Sequence, residues 1–435
     1  MSKNKNKIPA DNINPLDTAK ESEDTITPDT SSEENTTDDT TIKDMDGDLA
    51  SSATENPDTQ NEPGSDIIDE ISDTDAADKK KKRKKIIIRS LRILFTIGFF
   101  VFLSLFLNEV LVQPYKFKKA TEKARELYNY VETAPTKKPD NTTENDTSDD
   151  EPNDDSNPDE SDTDTEPTAA PDPNRDEKGR LLKFRKLLEI NEDVKGWIRI
   201  DNTNGENDTK IDYVVMQSGA SDPEYYLSRA WDTKEYLKAG SLFLDYTSSV
   251  EKKSPNLIIH GHNMTSSDDM FHYLVQYQKL NFLKEHPIIS FDTIYEEGLW
   301  KVFSVYITPG NNDRDDFFPF NTSNFNSSRD FMSYLYQIRI RSLFNIDEVD
   351  INENDQILTL STCSYELSNY RTIVVARKVR EGEEPAIDVD KIEKNKNALY
   401  PPSFNKHYGK QQPDIPSFEA ALEDGLIPWY NPINH

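Results

Sequence analysis

An apolar run over 93–112 is the feature that most limits what this chain can fold into. A helix needs about 20 mostly apolar residues to span a bilayer, and this run has that length. Its two polar residues, Asn108 and Glu109, fall near one end, where a spanning helix reaches the membrane interface. A buried core helix is the alternative. The run is apolar on all faces, however, and we expect the segments on both sides of it to be disordered.

Basic residues before the run predict its orientation. Residues 79–85 are all lysine or arginine, and Arg89 and Arg92 follow. Because positive charge marks the cytoplasmic side, we expect the N-terminus inside the cell and the C-terminus outside. The run starts far from Met1 and has no small-residue cleavage site, which favours an uncleaved, single-pass signal anchor. The basic cluster could bind nucleic acid, but its place beside the apolar run favours anionic lipid headgroups instead.

Two acidic tracts hold the net charge of -30. Residues 1–78 contain 22 acidic and 5 basic side chains, and residues 139–177 contain 16 and 1. Dense like charge with little apolar surface predicts disorder in both, so the acidity says little about what the folded part binds. We divide the chain into an acidic cytoplasmic tail (1–78), a basic flank (79–92) and the membrane anchor (93–112). A juxtamembrane helix (113–135), an acidic linker (136–178), a catalytic domain (179–380) and an extension without an assigned role (381–435) follow. Repulsion should extend the linker, so that it spaces the domain from the bilayer.

The remaining sequence predicts a mostly β domain. Eight short runs are rich in β-branched and aromatic residues and are separated by Asn, Asp, Ser, Gly and Pro, which favours a closed or nearly closed barrel. The runs are 196–200, 211–216, 241–245, 257–260, 288–291, 299–308, 356–361 and 371–379. Helical spacing over 181–188 predicts a helix before the first strand. A second helix, from the capping residue Ser327 to about Phe344, precedes the last two strands.

Three strand ends carry residues with catalytic chemistry. One run ends in His260-Gly261-His262, another ends at Cys363, and Arg371 opens the next strand. Strand ends meet at the mouth of a barrel, so we expect the three sites to come together. Cys363 is the single cysteine, which excludes an intramolecular disulfide and leaves either an inert buried thiol or a reactive one.

A cysteine, a histidine and an arginine together support acyl transfer. The thiolate attacks, the imidazolium stabilises it and protonates the leaving amine, and the arginine donates to the oxyanion. This chemistry requires no metal and no cofactor. Two alternatives stay open: His260 and His262 as a metal pair, although no third ligand has a recognisable spacing, and Arg371 as a simple ion-pair partner of Glu366.

These residues also carry a family resemblance. Residues 359–363 read Thr-Leu-Ser-Thr-Cys, with Arg371 eight residues after Cys363, and this resembles the TLxTC…R signature of sortases. The serine within that motif resembles class B in particular. His260-Gly261-His262-Asn263-Met264 looks like the class B histidine motif, in which the second histidine is catalytic. Residues 193–198 and 239–246 add to the resemblance, which covers roughly 180–380.

The resemblance implies a sortase-like eight-stranded barrel and a class B sortase of Gram-positive bacteria. Cys363 would attack the Thr–Gly or Thr–Asn bond of a sorting signal in a secreted protein and form a thioester. An amine of a peptidoglycan precursor or of a pilin would then resolve the thioester. His262 would be the general acid/base, Arg371 the oxyanion and substrate clamp, and Ser361 a pocket residue that binds the signal.

Three features depart from the family pattern: the acidic insert, the long cytoplasmic tail and the continuation past 380. None touches the residues that carry the resemblance. Two other classes of function remain as alternatives. One is a cysteine protease that finishes with water, and the other is a catalytically inactive membrane scaffold. Cell-wall anchoring and pilus polymerisation are equally compatible with the sequence, and it leaves the sorting motif, the acceptor and the oligomeric state open.

Overall fold

The structure is a computed structural model that describes residues 66–129, 172–203, 208–430 and 432, with side chains from Asp78 onward. The predicted acidic tail up to residue 65 and the predicted linker between 136 and 171 lie outside the described residues. The described chain forms two units, divided between Asn108 and Glu109.

The first unit contains one long helix, α1 (Asp66–Leu107). Its apolar side chains are exposed; Phe95, for example, is 80% exposed. The helical stretch Asp78–Tyr128 is long and apolar enough to cross a membrane by length and composition. A continuous apolar surface of this kind is unfavourable in water and is suited to a lipid environment. The helix is therefore a candidate membrane anchor rather than a buried core helix.

The second unit is built around a closed eight-stranded barrel, as the sequence predicts. The barrel strands are β1 (Val194–Asp201), β2 (Thr209–Met216), β3 (Leu242–Leu244), β4 (Asn256–Gly261), β7 (Ile288–Thr293), β8 (Leu299–Pro309), β10 (Ile357–Ser364) and β11 (Tyr370–Lys378). They pair in the order β1-β2-β3-β4-β10-β11-β8-β7. Four short strands form two further pairs, β5 (Asn263–Met264) with β6 (Asp269–Met270) and β9 (Phe344–Asn345) with β12 (Glu393–Lys394).

Short helices surround the barrel. They are α2 (Gln113–Tyr128), α3 (Arg185–Ile190), α4 (Leu280–Glu285), α5 (Ser328–Arg341), α6 (Pro402–Tyr408) and α7 (Phe418–Glu423). Tight 3₁₀ turns occupy Leu182–Phe184, Tyr225–Ser228, His272–Gln278 and Val389–Lys391, and a π-helical turn, Asn108–Val112, precedes α2. Helix α5 begins as predicted, because the Ser327 hydroxyl accepts from the Asp330 N–H at 3.1 Å. It ends at Arg341, short of the predicted Phe344, because Ser342 is already extended and the chain enters β9.

Helix α2 packs on the barrel core. Its residues Phe117 and Ala124 are buried, Tyr128 stacks on Trp197 with ring centroids 4.4 Å apart, and the Trp231 indole donates to the Ala120 carbonyl at 2.9 Å. Helix α2 and the domain thus belong to one folded unit, and the segment predicted as an acidic linker lies between them in the sequence. A single sequence does not reveal this, because the partners of α2 are more than 60 residues away.

The folded unit also continues past residue 380. Strand β12 pairs with β9, Phe418 of α7 packs on Tyr336 of α5, and Trp429 is buried. The polar composition of 381–435 concealed these contacts, because they depend on a few widely spaced aromatic residues.

Candidate active site

Strands β4 and β10 end, and strand β11 begins, at the same side of the barrel. Strand β10 runs parallel to β4, with Thr362 opposite Gly261, and antiparallel to β11, with Cys363 opposite Arg371. His262 directly follows the end of β4. The register therefore places the three predicted catalytic residues on neighbouring strand ends, as expected from the sequence.

The glycine between the two histidines is required by packing. A Cβ on Gly261 would lie 2.3 Å from Leu242 Cδ2 and 2.9 Å from Phe271 Cδ2. Contacts this close would force β4 away from its neighbours, so a larger residue would move His262. The local sequence thus fixes where the β4 strand end lies.

A cavity of about 300 Å³ opens at this end of the barrel. All four residues predicted for the site line it: Cys363, His262, Arg371 and Ser361. The Arg371 guanidinium donates from Nη1 to Cys363 Sγ, and Cys363 is half-buried. The other lining residues are Pro223, Glu224, Leu227, Phe243, Asp245, Tyr246, His260, Gly261, Gly310, Phe320 and Asn321.

The environment of His262 favours the neutral ring. Burial lowers the pKa of His262, and the nearby positive charge of Arg371 lowers it further. A hydrogen bond with the Leu227 main chain and the negative charge of Glu224 act in the opposite direction. His262 and Cys363 line the same cavity, so the ring is a candidate acid/base for a reaction at the thiol.

His260 has a different set of contacts. Its Nε2 lies 3.1 Å from Asp245 Oδ2, and its ring packs beside Phe243 and Phe320. Burial alone would raise the pKa of Asp245, but hydrogen bonds from His260 and Thr247 hold it below its usual value. His260 and His262 thus contact different groups, an arrangement that suits a structural role for His260 and not a shared metal.

Asn263 is a site residue to which sequence reasoning gave no role. Its side-chain amide donates to the main-chain carbonyl of Cys363 at 3.0 Å, and its Oδ1 lies 2.9 Å from His272 Nδ1. His272 Nε2 in turn lies 3.2 Å from Asp268. The motif containing Asn263 was visible in the sequence, but the contact across to β10 depends on the fold.

Glu366 is not the ion-pair partner of Arg371. Its Oε1 accepts from Gln278 Nε2 at 2.6 Å, whereas the Arg371 guanidinium lies on the Cys363 sulfur. The two threonines of the 359–363 motif have hydrogen-bond partners on the neighbouring strand. Thr359 Oγ1 donates to Asn256 Oδ1 at 2.8 Å, and Thr362 Oγ1 donates to the Gly261 carbonyl at 2.9 Å. The polar residues of this motif therefore bind β10 to β4.

A barrel cavity that contains a thiol, an imidazole and a guanidinium is the kind of site used for cysteine-dependent acyl transfer. Comparison with known proteins gives the family. The sortase domain family model matches residues 207–379. Sortase B of Staphylococcus aureus is 30% identical over 200 residues, which are 46% of this chain and 75% of that protein. Sortase B of Listeria monocytogenes is 36% identical over 188 residues, 42% of this chain and 68% of that protein.

Among solved structures, sortase B from B. anthracis is 25% identical, and the match covers 62% of this chain and 100% of that one with a TM-score of 0.45. On the sequence relationships, the chain belongs to the sortase family, as a class B sortase. It is therefore a cysteine transpeptidase.

Proposed function

We propose that Cys363 is the nucleophile of this sortase, His262 its general acid/base, and Arg371 its oxyanion and substrate clamp. The observation that carries the proposal is the contact between the Arg371 guanidinium and Cys363 Sγ, inside the cavity that His262 also lines. The guanidinium N–H groups lie at the sulfur, where they can also reach a substrate carbonyl oxygen during attack by the thiolate, the attacking form.

In the first half-reaction the Cys363 thiolate attacks the scissile carbonyl carbon of a sorting signal. The negative charge then moves to the carbonyl oxygen, where the Arg371 N–H groups can donate to it. As the C–N bond breaks, His262 passes the proton that it took from the Cys363 thiol to the departing amine, and a thioester to Cys363 remains. In the second half-reaction His262 takes a proton from the acceptor amine as the amine attacks the thioester, and the thiolate leaves.

Ser361 is proposed to bind the sorting signal. It lines the cavity beside Cys363 and lies opposite His260 across the β4–β10 pair. Its hydroxyl can donate to and accept from a peptide backbone at that point of the wall.

The donor substrates are proposed to be secreted proteins with a sorting signal, and the acceptor an amine of a peptidoglycan precursor or of a pilin. Helix α1 is proposed to be a single-pass anchor in the cell membrane. The run of lysines and arginines at 79–85 supports a cytoplasmic N-terminus and hence a catalytic unit on the outer face. Cytoplasmic and extracellular labelling of cysteines introduced on either side of the span tests this topology.

The test uses the full chain in detergent and a library of peptides containing Thr–Gly or Thr–Asn bonds, with and without an amine acceptor. Wild type should form a thioester on Cys363, detectable by mass spectrometry of the intact protein, and give a product that depends on amine. Cys363→Ala should give neither. Product formation that is indifferent to amine would identify a hydrolase, and an active Cys363→Ala variant would overturn the assignment of the nucleophile.

A further inference from the structure

Helix α6, in the C-terminal extension, packs against the strand that carries Arg371, although it lies beyond the matched sortase domain, 207–379. Phe404 of α6 is fully buried with Tyr370 and Ile307 in a small apolar cluster separate from the main core. Tyr370 immediately precedes Arg371 and is itself fully buried. The extension therefore covers the beginning of β11, where the strand meets the cavity.

Ser403 of α6 makes polar contacts with the same region. Its hydroxyl shares a 2.5 Å hydrogen bond with the Tyr370 hydroxyl and accepts from Arg314 Nη2 at 2.7 Å. Its main-chain N–H donates to Asp316 at 3.1 Å, and Arg314 pairs with Asp316 at 3.0 Å. Arg314 and Asp316 lie just after Gly310, which lines the cavity. Through Ser403, α6 is thus connected to both β11 and the segment that leaves β8.

The turn between β10 and β11 is held as well. The Tyr408 hydroxyl of α6 donates to the Glu366 carbonyl at 3.2 Å. Asn369 in this turn has a φ of 57°, and its carbonyl accepts from the Gly310 N–H at 2.7 Å. A Cβ on Gly310 would lie 2.8 Å from Arg371 Nε, so the backbone there lies directly against the guanidinium. Movement of either loop would displace the wall beside Arg371.

We propose that α6 is a positioning element for the Arg371–Cys363 pair, acting through Tyr370 and Ser403. The inference rests on the proposed function, because it concerns how Arg371 is held for its role. An arginine side chain has many rotamers, and a donor stabilises an oxyanion only from a narrow range of distances. Packing that fixes the β11 start and both flanking loops restricts the guanidinium to the sulfur. On this view the extension is a part of the catalytic unit of this enzyme.

The first experiment compares two alanine substitutions in the full-length chain, Phe404→Ala in α6 and Phe418→Ala in α7. Both phenylalanines are buried in the extension, at 0% and 6% exposure, so both variants lose a similar amount of packing. Only Phe404 packs on Tyr370. Below both melting temperatures, Phe404→Ala should lower kcat about tenfold with little change in KM. It should also slow iodoacetamide alkylation of Cys363 at neutral pH. Phe418→Ala should leave kcat and the alkylation rate near wild type.

The second experiment isolates the hydroxyl pair. Tyr370→Phe and Ser403→Ala should each lower kcat several-fold. The double variant should be no worse than Ser403→Ala, because that substitution already removes the contact with Tyr370 as well as the one with Arg314. Ser403→Thr keeps a hydroxyl and should restore most of the activity. Rescue of kcat by threonine is not expected from a change in global stability alone.

The results for Cys363→Ala test the catalytic role of Cys363, and those for the α6 variants test the positioning role of α6. If Cys363→Ala retains transpeptidation, the proposed function fails. If Cys363→Ala is inactive but Phe404→Ala and Phe418→Ala have equal kcat values and equal alkylation rates, the positioning role of α6 is overturned while the proposed function stands. A strictly additive double variant at Tyr370 and Ser403 would overturn the role of that pair.

Discussion

The Thr362 hydroxyl donates a 2.9 Å hydrogen bond to the carbonyl of Gly261, across the parallel pair of strands β10 and β4. Each of these residues is followed directly by a proposed catalytic residue, Cys363 after Thr362 and His262 after Gly261. The hydrogen bond is buried, so water does not replace it easily. It therefore fixes the position of Cys363 relative to His262 along the strand direction.

Thr362→Val should separate these two strand ends without a large change in volume. The variant leaves the Gly261 carbonyl without its partner, which should cost about 1 kcal/mol of stability. The effect on the reaction should be larger, with kcat lowered about tenfold, because catalysis depends on alignment to within a fraction of an ångström. Peptide kinetics and urea unfolding give the two numbers. Thr362→Ser, which keeps the hydroxyl, is the control, and a wild-type kcat for the valine variant would contradict the argument.

The Arg371 charge should be visible in the titration of His262. Burial and the guanidinium both disfavour the protonated ring, so the pKa of His262 lies below its usual value in the wild type. Arg371→Gln removes the second of these effects, and the pKa of His262 should therefore rise. NMR titration of the His262 ring in both proteins measures the shift. Arg329→Gln, a charge change on the exposed face of α5, should leave the His262 titration unchanged.

The same sign has a kinetic consequence. The step in which His262 gives a proton to the leaving amine requires the protonated ring, so the rate of thioester formation should fall as pH rises through the His262 pKa. Burial and the guanidinium both act to bring this fall to lower pH, so Arg371→Gln should move it to higher pH. A thioester formation rate that is flat through this range would argue against His262 as the acid.

Asn263 should act on the reaction more than on stability. Asn263→Ala removes the 3.0 Å hydrogen bond to the Cys363 carbonyl, and Asn263→Asp places an acceptor against that carbonyl. Both should lower kcat several-fold, the aspartate more strongly, while the melting temperature falls by only a few degrees. Asn324→Ala is the control, since it removes asparagine amide bonds to the Thr247 carbonyl at 3.2 Å and to the Ser323 hydroxyl at 2.9 Å, neither of which involves Cys363. Equal kinetics for the Asn263 and Asn324 variants would exclude a positioning role for Asn263.

Much of the barrel was predictable because its strands are short, β-branched and bounded by turn residues. All eight were expected within a few residues of their observed bounds. The meeting of Cys363, His262 and Arg371 followed from their places at strand ends, once a barrel was assumed. In the structure all three line one cavity.

The long-range contacts were not predictable from one sequence. Helix α2 reaches Trp197 and Trp231, and Ser403 reaches Tyr370, across long stretches of chain without a local pattern. The contact of Asn263 with the Cys363 carbonyl was not predictable either, because an asparagine near a predicted turn is expected to hydrogen-bond to its own local backbone. The periodicity of apolar residues predicts which face of a helix or strand is buried, but it does not identify the element that packs on that face.

A group of buried charges holds the point where the C-terminal extension leaves the barrel. Glu383 accepts from Arg377 at 2.6 and 2.7 Å, from Lys301 at 2.7 Å and from the Arg380 N–H at 2.9 Å. The Arg377 side chain is fully buried, so Glu383 supplies the negative charge that makes its burial tolerable. Although burial opposes ionisation, these donors hold the pKa of Glu383 far below its usual value.

Glu383→Gln should therefore destabilise the protein by about 3 kcal/mol at neutral pH, because it leaves the Arg377 charge without its close partner. A carboxyl with a lowered folded-state pKa contributes its stability above the unfolded-state value and loses it as pH falls towards the folded one. The difference between wild type and variant should thus shrink as the solution is made more acidic. Urea unfolding at several pH values measures this, with the exposed neighbour Glu384→Gln as control. A difference that stays constant from neutral to acidic pH would mean that packing, and not the charge of Glu383, secures the start of the extension.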